Sequence, residues 1–318
     1  MSSPKLNINI IYSPQKRGPH VIFENKLAKV YNSKTYDQKK INIGMGWYSI
    51  RNPKAGDSLI VIEPRCVLER DYNPKFISKY KYIFTWATKA FNNIKLPNTK
   101  IIEVNHPCAH SKININNLSK KWTPWQQREN EVVFIANNKS SPHISQLYTL
   151  RVKLADMFHH QSKMKVSWYG QIPLNKPYYK GTVKSKFDVL SKAKFTVCSE
   201  NSYHKKYSHN YFTEKLPDAW KGGAVPLYMG CYNIDDFKFH PDSYIDLRKY
   251  VKKDFTPQSK YHEIDKKLVK LVDNFTENHY KKLIRQVKLE AEKPKGLNHI
   301  VSYDRFYEKI IETMLKDK

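Results

Sequence analysis

The chain has 318 residues, 40% of them apolar, with 22 tyrosines and a formal net charge of +27. That length predicts about two domains, each large enough to bury a core, and the composition excludes a disordered chain. The charge leaves a nucleic-acid binder, a protein drawn to anionic membranes and an enzyme for phosphorylated or acidic substrates, and since Lys and Arg are spread along the whole sequence it favours compositional drift plus an anionic ligand. The cysteines, Cys66, Cys108, Cys198 and Cys231, stand far apart with no CxxC, which argues against a disulfide framework and for a reducing compartment. No run reaches the apolar length of a membrane span and Met1 to Lys5 opens no signal peptide, so a cytoplasmic, soluble protein is expected.

In chain order, residues 7–12 (NINIIY) predict the first strand of an α/β domain. Gly18 and Pro19 lead into residues 21–31, whose apolar positions recur at helical spacing; the pair either caps that helix or contacts substrate. Residues 58–62 predict a buried strand that delivers Glu63-Pro64-Arg65 at its end. A carboxylate at a strand mouth, held by the following proline, suits a general base; a solvated turn is the other reading. Two more strands are expected over 82–86 and 101–104. Residues 105–130, with Pro107, Trp122, Pro124, Trp125 and little periodicity, read as the connection between domains. His106-Pro107-Cys108-Ala109-His110 offers soft ligands at alternate positions, but structural zinc needs four and no second cluster is visible, so no metal site is expected.

The second domain opens with a strand over 131–136, a loop over 137–143 and an amphipathic helix over 144–160 that carries Arg151. His159 and His160 close that helix, where its dipole favours cations. A strand over 194–199 ends on Glu200, Asn201 and Ser202, and a polar loop with His204, Lys205, Lys206 and His209 follows. Thr213 is a natural N-cap for a helix through residue 221, with Pro217 in its first turn, and Gly222 and Gly223 stop it before a buried strand over 225–229. This βαβ unit gathers its polar residues at the C-terminal end of the first strand, the edge at which open α/β sheets bind ligands. A helix N-terminus with Lys215 beside it suits a diphosphate, Glu214 and Glu200 suit sugar hydroxyls, and Tyr211 offers a flat face. An ordinary capped strand–helix–strand accounts for the same residue types. From residue 260 the chain reads as helices with charged faces, ending in one over 303–315.

Taken together, ENS, then Tyr-x-Thr-Glu-Lys-Leu at 211–216, a small-residue helix and Val-Pro-Leu-Tyr-x-Gly at 225–230 resemble the donor-binding signature of the family-10 glycosyltransferases, the α-1,3/α-1,4-fucosyltransferases. Trp168-Tyr169-Gly170-Gln171 is similar to that family's Tyr-Gly segment, residues 188–195 to its approach to the ENS strand, and 233–247 to the helix and short strand that follow. The resemblance covers residues 131–250, and the loop 201–210 is longer than the family usually shows, leaving open where its His and Lys side chains point. It implies that Arg151 and Lys215 bind the donor diphosphate and that Glu214 holds donor hydroxyls near the reacting carbon. Glu200, Asn201, Ser202, Tyr211 and Thr213 would shape the pocket. Ile62-Glu63-Pro64 is similar to the segment that carries the acceptor-activating base, with Glu69 and Glu103 as reserves.

The implied reaction moves L-fucose from GDP-fucose to a hydroxyl of a glycan acceptor with inversion, so Glu63 and Glu214 are the expected catalytic residues. Eukaryotic members carry an N-terminal anchoring helix; none is evident, which implies a soluble bacterial or viral type or a trimmed form of an anchored enzyme. No Asp-x-Asp occurs, so fixed cations are expected to neutralise the leaving group, with a divalent metal optional at most and no cofactor required. The expected fold is α/β GT-B, two Rossmann-like domains facing each other across a cleft. An acceptor domain would span 1–125 and a donor domain 126–300, with a helix over 301–318 packing back on the first. Two alternatives stay open: a GT-B enzyme for another nucleotide sugar, and a basic nucleic-acid-binding protein, although no nucleic-acid partner is expected.

Overall fold

The computed structural model describes residues 6–11, 39–45, 53, 56–109, 112–253 and 262–316. The helix expected over 21–31, the Gly18-Pro19 turn before it and His110 lie outside them. The chain forms two compact units, Met1–His106 with Tyr303–Lys318, and Pro107–Ser302.

The first unit carries a parallel sheet of β1 (Leu6–Ile11), β2 (Lys39–Met45), β3 (Ser58–Val61), β4 (Tyr82–Thr85) and β5 (Lys100–Glu103), hydrogen-bonded in sequence order. Every residue of β3 and β4 is buried, as their unbroken apolar runs require of strands covered on both faces. The helix Tyr303–Leu315 repeats its apolar residues every three to four positions. Phe306, Tyr307, Ile310 and Met314 therefore share a core with Ile60, Tyr82, Phe84 and Val104.

The second unit is built on β6 (Glu129–Ile135), β7 (Lys165–Tyr169), β8 (Ala193–Ser199), β9 (Val225–Met229) and β10 (Ile245–Asp246), all parallel, in the order β7-β6-β8-β9-β10. The chain winds outward from β6 to β7, then returns past β6 to β8. That is a doubly wound sheet with its switch point between β6 and β8.

Three local expectations are corrected. Residues 107–125 belong to the second unit rather than to a connection, because Ile113, Ile115 and Trp125 are core residues there; Trp125 stacks on Tyr280 with centroids 4.7 Å apart. Short turns punctuated by Pro and Asn hide such burial from any periodicity. The helix expected from 144 starts at Tyr148. Ahead of it, His143 Nδ1 meets Ser145 Oγ at 2.8 Å and Gln146 Oε1 accepts from the Thr149 N–H at 3.2 Å, side-chain bonds that compete with a helical turn. Thr213 is not the cap of its helix, which spans Lys215–Gly222 with Glu214 at the N-cap. At the other end Gly223 adopts φ 71°, and a Cβ there would come within 2.5 Å of the Trp122 ring, so both conformation and space demand glycine. All four cysteines are free thiols. Among the described residues no helix is long and apolar enough to cross a membrane.

Candidate active site

At the switch point, the C-terminal ends of β6, β7 and β8 and the start of the helix Lys215–Gly222 enclose a cavity of about 330 Å³, within the size range of ligand pockets. Asn137 and Lys139 reach it from the loop after β6, Tyr169 and Gln171 from the end of β7, and Asn201 from the end of β8. Arg151, Thr182, Lys186, Glu214 and Lys215 complete its polar lining.

A fully buried carboxylate organises the wall behind it. Glu200 Oε1 accepts from the Thr213 N–H at 2.9 Å, and Oε2 accepts from the Thr213 hydroxyl at 2.6 Å and the Lys215 ammonium at 3.2 Å. Gly230, following β9, makes the room: a Cβ there would lie 2.2 Å from the Glu200 Cβ. The Glu200 N–H also donates to the Met229 carbonyl at 2.8 Å, tying the ends of β8 and β9 together. Burial pushes the Glu200 carboxyl up from the usual carboxylate range, while Lys215 and the two Thr213 donors pull it down. For Lys215, burial works against the charged form, but Glu200 and Glu214 outweigh it and raise the ammonium above an ordinary lysine. The cation at the mouth of this helix therefore stays charged throughout the physiological range.

Arg151 is buried on the facing helix, with its guanidinium over the Tyr148 ring. It donates to the Ser199 carbonyl at 2.8 Å, the Glu200 carbonyl at 2.7 Å and the Asn201 side-chain oxygen at 2.8 Å. All three are neutral oxygens, and together they fix where the guanidinium stands. Lys186 stands at the rim, 2.9 Å from Asp218 and 3.7 Å from Glu214. Burial opposes its charge, yet those two carboxylates raise its pKa.

The structure thus brings Arg151, Asn201, Glu214 and Lys215 together in one chamber. Glu200, Ser202, Tyr211 and Thr213 are buried and absent from its lining. Glu200 and Thr213 act through Lys215; the Ser202 hydroxyl meets that of Ser208 at 2.6 Å. Lys139 and Lys186 are the residues that sequence reasoning missed. Nothing local marks them among 56 Lys and Arg, since only the folding of the β6 and β7 loops gathers them at the cavity.

Glu63 lies in the first unit, just past β3. Its segment is pinned from two sides: the Tyr72 hydroxyl donates to the Glu63 carbonyl at 3.0 Å and the Trp86 indole N–H to the Ile62 carbonyl at 2.8 Å. Asp71, nearby, is fully buried; its Oδ1 receives Arg70 only at 3.4 Å, and its Oδ2 has no hydrogen-bond partner. Burial pushes its carboxyl up to about 7, against the pull of Arg70 and with a further push from Glu63. Of the reserve carboxylates, Glu69 is exposed and paired with Arg65, and Glu103 accepts from the Thr88 hydroxyl at 3.1 Å. Among the described residues no group of three His, Cys, Asp or Glu side chains is placed to hold a metal ion.

Comparison with known proteins gives a consistent outcome. The profile described as glycosyltransferase family 10 (fucosyltransferase), C-terminal, matches residues 125–287, just over half of the chain. A stretch of 68 residues is 32% identical to the alpha-(1,3)-fucosyltransferase FucT of Helicobacter pylori, covering 21% of this chain and 13% of that enzyme. Among solved structures, an alpha-glucosyltransferase in complex with UDP-glucose and DNA containing an abasic site superposes with a TM-score of 0.53 at 10% identity, over 97% of this chain and 80% of that one. TarM superposes with a TM-score of 0.46 at 12% identity, over 97% of this chain and 53% of that one. The likeness to the alpha-glucosyltransferase shows the fold, and the two α/β units with parallel sheets are those of a GT-B glycosyltransferase.

Proposed function

This chain belongs to glycosyltransferase family 10, the fucosyltransferases, and from that premise we propose that it transfers L-fucose from GDP-fucose to a hydroxyl of a glycan acceptor with inversion. The observation that carries the reading is the cavity at the switch point of the second unit, which joins the buried cation of Arg151 and the partly buried one of Lys215 to the half-exposed carboxylate of Glu214. Cations of raised or permanent charge in a partly desolvated chamber stabilise a leaving diphosphate, and a carboxylate acceptor beside them suits the hydroxyls of a ribose or a sugar.

In the proposed reaction the acceptor oxygen bonds to the anomeric carbon of fucose as the bond from that carbon to the diphosphate oxygen breaks. The electron pair of the broken bond leaves on GDP, where Arg151 and Lys215 balance it. The acceptor proton passes to the carboxylate of Glu63. Glu214 holds donor hydroxyls near the carbon as positive charge develops there, and Glu200 and Thr213 keep Lys215 in place. Charge balance on the diphosphate comes from fixed side chains, so a chelator is expected to leave transfer intact; loss with EDTA restored only by Mn²⁺ would overturn that part.

A thermal-shift series tests the donor. A ligand at a hundred times its Kd stabilises the folded state by about 2.7 kcal/mol, a readily measured rise in Tm. GDP and GDP-fucose are expected to raise it, and UDP-glucose is not. A rise with a UDP-sugar alone would replace fucose transfer by another nucleotide-sugar chemistry, and a rise with DNA alone would favour nucleic-acid binding.

A further inference from the structure

Beside the donor cavity, the same edge of the sheet carries a second feature that diphosphate binding leaves unused. Tyr203 lies two residues beyond the cavity-lining Asn201, and Tyr232 two residues beyond Gly230 on the neighbouring strand. Their ring centroids are 5.5 Å apart with planes at 37°, and Tyr232 is 38% exposed, one of few large apolar side chains so exposed among the described residues. The main chain of both is held by backbone bonds. The Tyr203 N–H donates to the Ser145 carbonyl at 2.7 Å and the Tyr232 N–H to the Ser208 carbonyl at 3.0 Å. The loop between Asn201 and Asn210 is closed by the Ser202–Ser208 hydroxyl contact and by Asn210 and Asn233, the Asn210 N–H donating to Asn233 Oδ1 at 2.7 Å and Asn233 Nδ2 to Asn210 Oδ1 at 2.8 Å.

The surroundings decide the ligand class. In a chain of net charge +27, residues 231–246 hold four aspartates, Asp235, Asp236, Asp242 and Asp246, and a single lysine, Lys238. Arg248, the cation that acts on the Tyr203 hydroxyl, is already held by Asp235 at 2.8 Å and Asp246 at 2.7 Å, while on the loop of Tyr203 Lys206 lies over the Tyr207 ring at 5.6 Å. A polyanion brought here would set its phosphates against exposed carboxylates, a like-charge contact that opposes binding. A neutral sugar meets no such penalty. Its C–H face lies on a phenol ring, and its hydroxyls donate to carboxylate and amide oxygens at the rim, such as those of Asp235 and Asp236. We infer that Tyr203 and Tyr232 form a stacking subsite for a neutral pyranose ring of the glycan acceptor, continuous with the donor cavity through Asn201. The inference rests on the glycosyltransfer reading above.

Two measurements on the full chain separate the two ideas. Saturation-transfer NMR with the methyl glycosides of galactose and N-acetylglucosamine reads the subsite without any reaction. A signal is expected from the parent and from Tyr232→Phe, and its loss from Tyr232→Ala and Tyr203→Ala, each checked for an unchanged Tm. In transfer assays with GDP-fucose and neutral disaccharides, Tyr232→Ala is expected to raise the acceptor KM about tenfold, the upper end of what one aromatic contact contributes. GDP affinity and the slow hydrolysis of donor stay at the parental level, and Tyr232→Phe restores KM. The subsite is wrong if Tyr232→Ala keeps both the NMR signal and the KM, or if the parent responds only to a phosphorylated sugar or an oligonucleotide. A parent that binds the methyl glycosides but neither GDP nor GDP-fucose sinks the donor reading and leaves the stacking site standing.

Discussion

Glu200 in the second unit and Asp71 in the first are both carboxyl groups fully removed from solvent, and their surroundings make them opposites. Glu200 receives three donors, from Thr213 twice and from Lys215, so its charge is matched by hydrogen bonds and by a cation. Asp71 has two long contacts on Oδ1, both from Arg70 at 3.4 Å, and among the described residues none on Oδ2, and burial holds its proton up to about pH 7. A buried charge costs several kcal/mol unless it is paired and hydrogen-bonded, and the group left short keeps its proton instead. The first arrangement makes a fixed wall for a binding site. The second makes a titrating group beside the segment that carries Glu63.

The widest effect expected from that contrast is on the rate. Glu63→Gln keeps shape and hydrogen-bonding capacity but cannot take the acceptor proton, so transfer is expected to slow by about 10²–10⁴-fold with GDP affinity unchanged. The checks are single-turnover transfer and GDP titration on the same preparation. Parental transfer in Glu63→Gln alongside a slowed Glu69→Gln or Glu103→Gln would move the base to another carboxylate of the first unit. It would leave the second unit's chemistry where it is.

Next in size is the matched carboxylate. Glu200→Ala strands the Lys215 ammonium and the Thr213 N–H in a dry wall, and breaking one side of a buried pair costs about 3–5 kcal/mol. A lower denaturant midpoint together with weakened GDP binding is expected, because Lys215 loses the partner that aims it. An unchanged midpoint would mean that the pair is solvated and contributes little to the wall.

The unmatched carboxylate makes stability depend on pH. The folded state holds the Asp71 proton more tightly than the unfolded chain, so unfolding releases it between about pH 4 and pH 7. Stability therefore falls as pH rises through that window and levels off above it. The shift from 3.8 to about 7 corresponds to on the order of 4 kcal/mol, spread across the window. Asp71→Asn cannot ionise, and it is expected to remove this slope and to be more stable than the parent at pH 8. A parent with the same slope as Asp71→Asn would show that Asp71 is ionised in the folded state.

The two halves also differ in how far they could be read beforehand. Strand β9 was legible to the residue, and β3, β4 and β8 to within one, because unbroken apolar runs between polar breaks leave little choice of period or boundary. The cavity of the second unit is half legible. Arg151, Asn201, Glu214 and Lys215 carry a recognisable string, whereas Lys139 and Lys186 arrive from loops whose course only the fold decides. Glu200 was singled out for sugar hydroxyls, but the short contact from Thr213 and the space left by Gly230 turn it inward. The hydroxyl expected to cap a helix had a stronger acceptor 13 residues back in the chain. Asp71 carries no signal in the sequence: an acidic residue between Arg70 and Tyr72 reads as surface, and its burial is a tertiary fact.

The smallest effect expected concerns the rim of the matched site, and it tests whether the cavity binds a diphosphate through fixed charge or through the whole basic lining. Lys215 and Lys186 share Glu214 as a neighbour, each at 3.7 Å, but the Lys215 side chain is 16% exposed and that of Lys186 43%. Removing Lys215 should therefore lower both stability and GDP affinity, the charge-assisted contact alone being worth roughly 1.5–3 kcal/mol. Removing Lys186 touches only its pairs at the rim with Asp218 and Glu214, so Lys186→Ala is expected to leave Tm nearly unchanged and to weaken GDP binding by about 0.5–1 kcal/mol. Its effect should shrink as salt rises, since an exposed charge is screened within about a Debye length, while the Lys215→Ala deficit persists. Isothermal titration of GDP into both variants at low and high salt separates them. Equal deficits with equal salt dependence would mean that the chamber is open to solvent throughout. Glu200 would then be a structural anchor, with no part in setting the charge that meets the diphosphate.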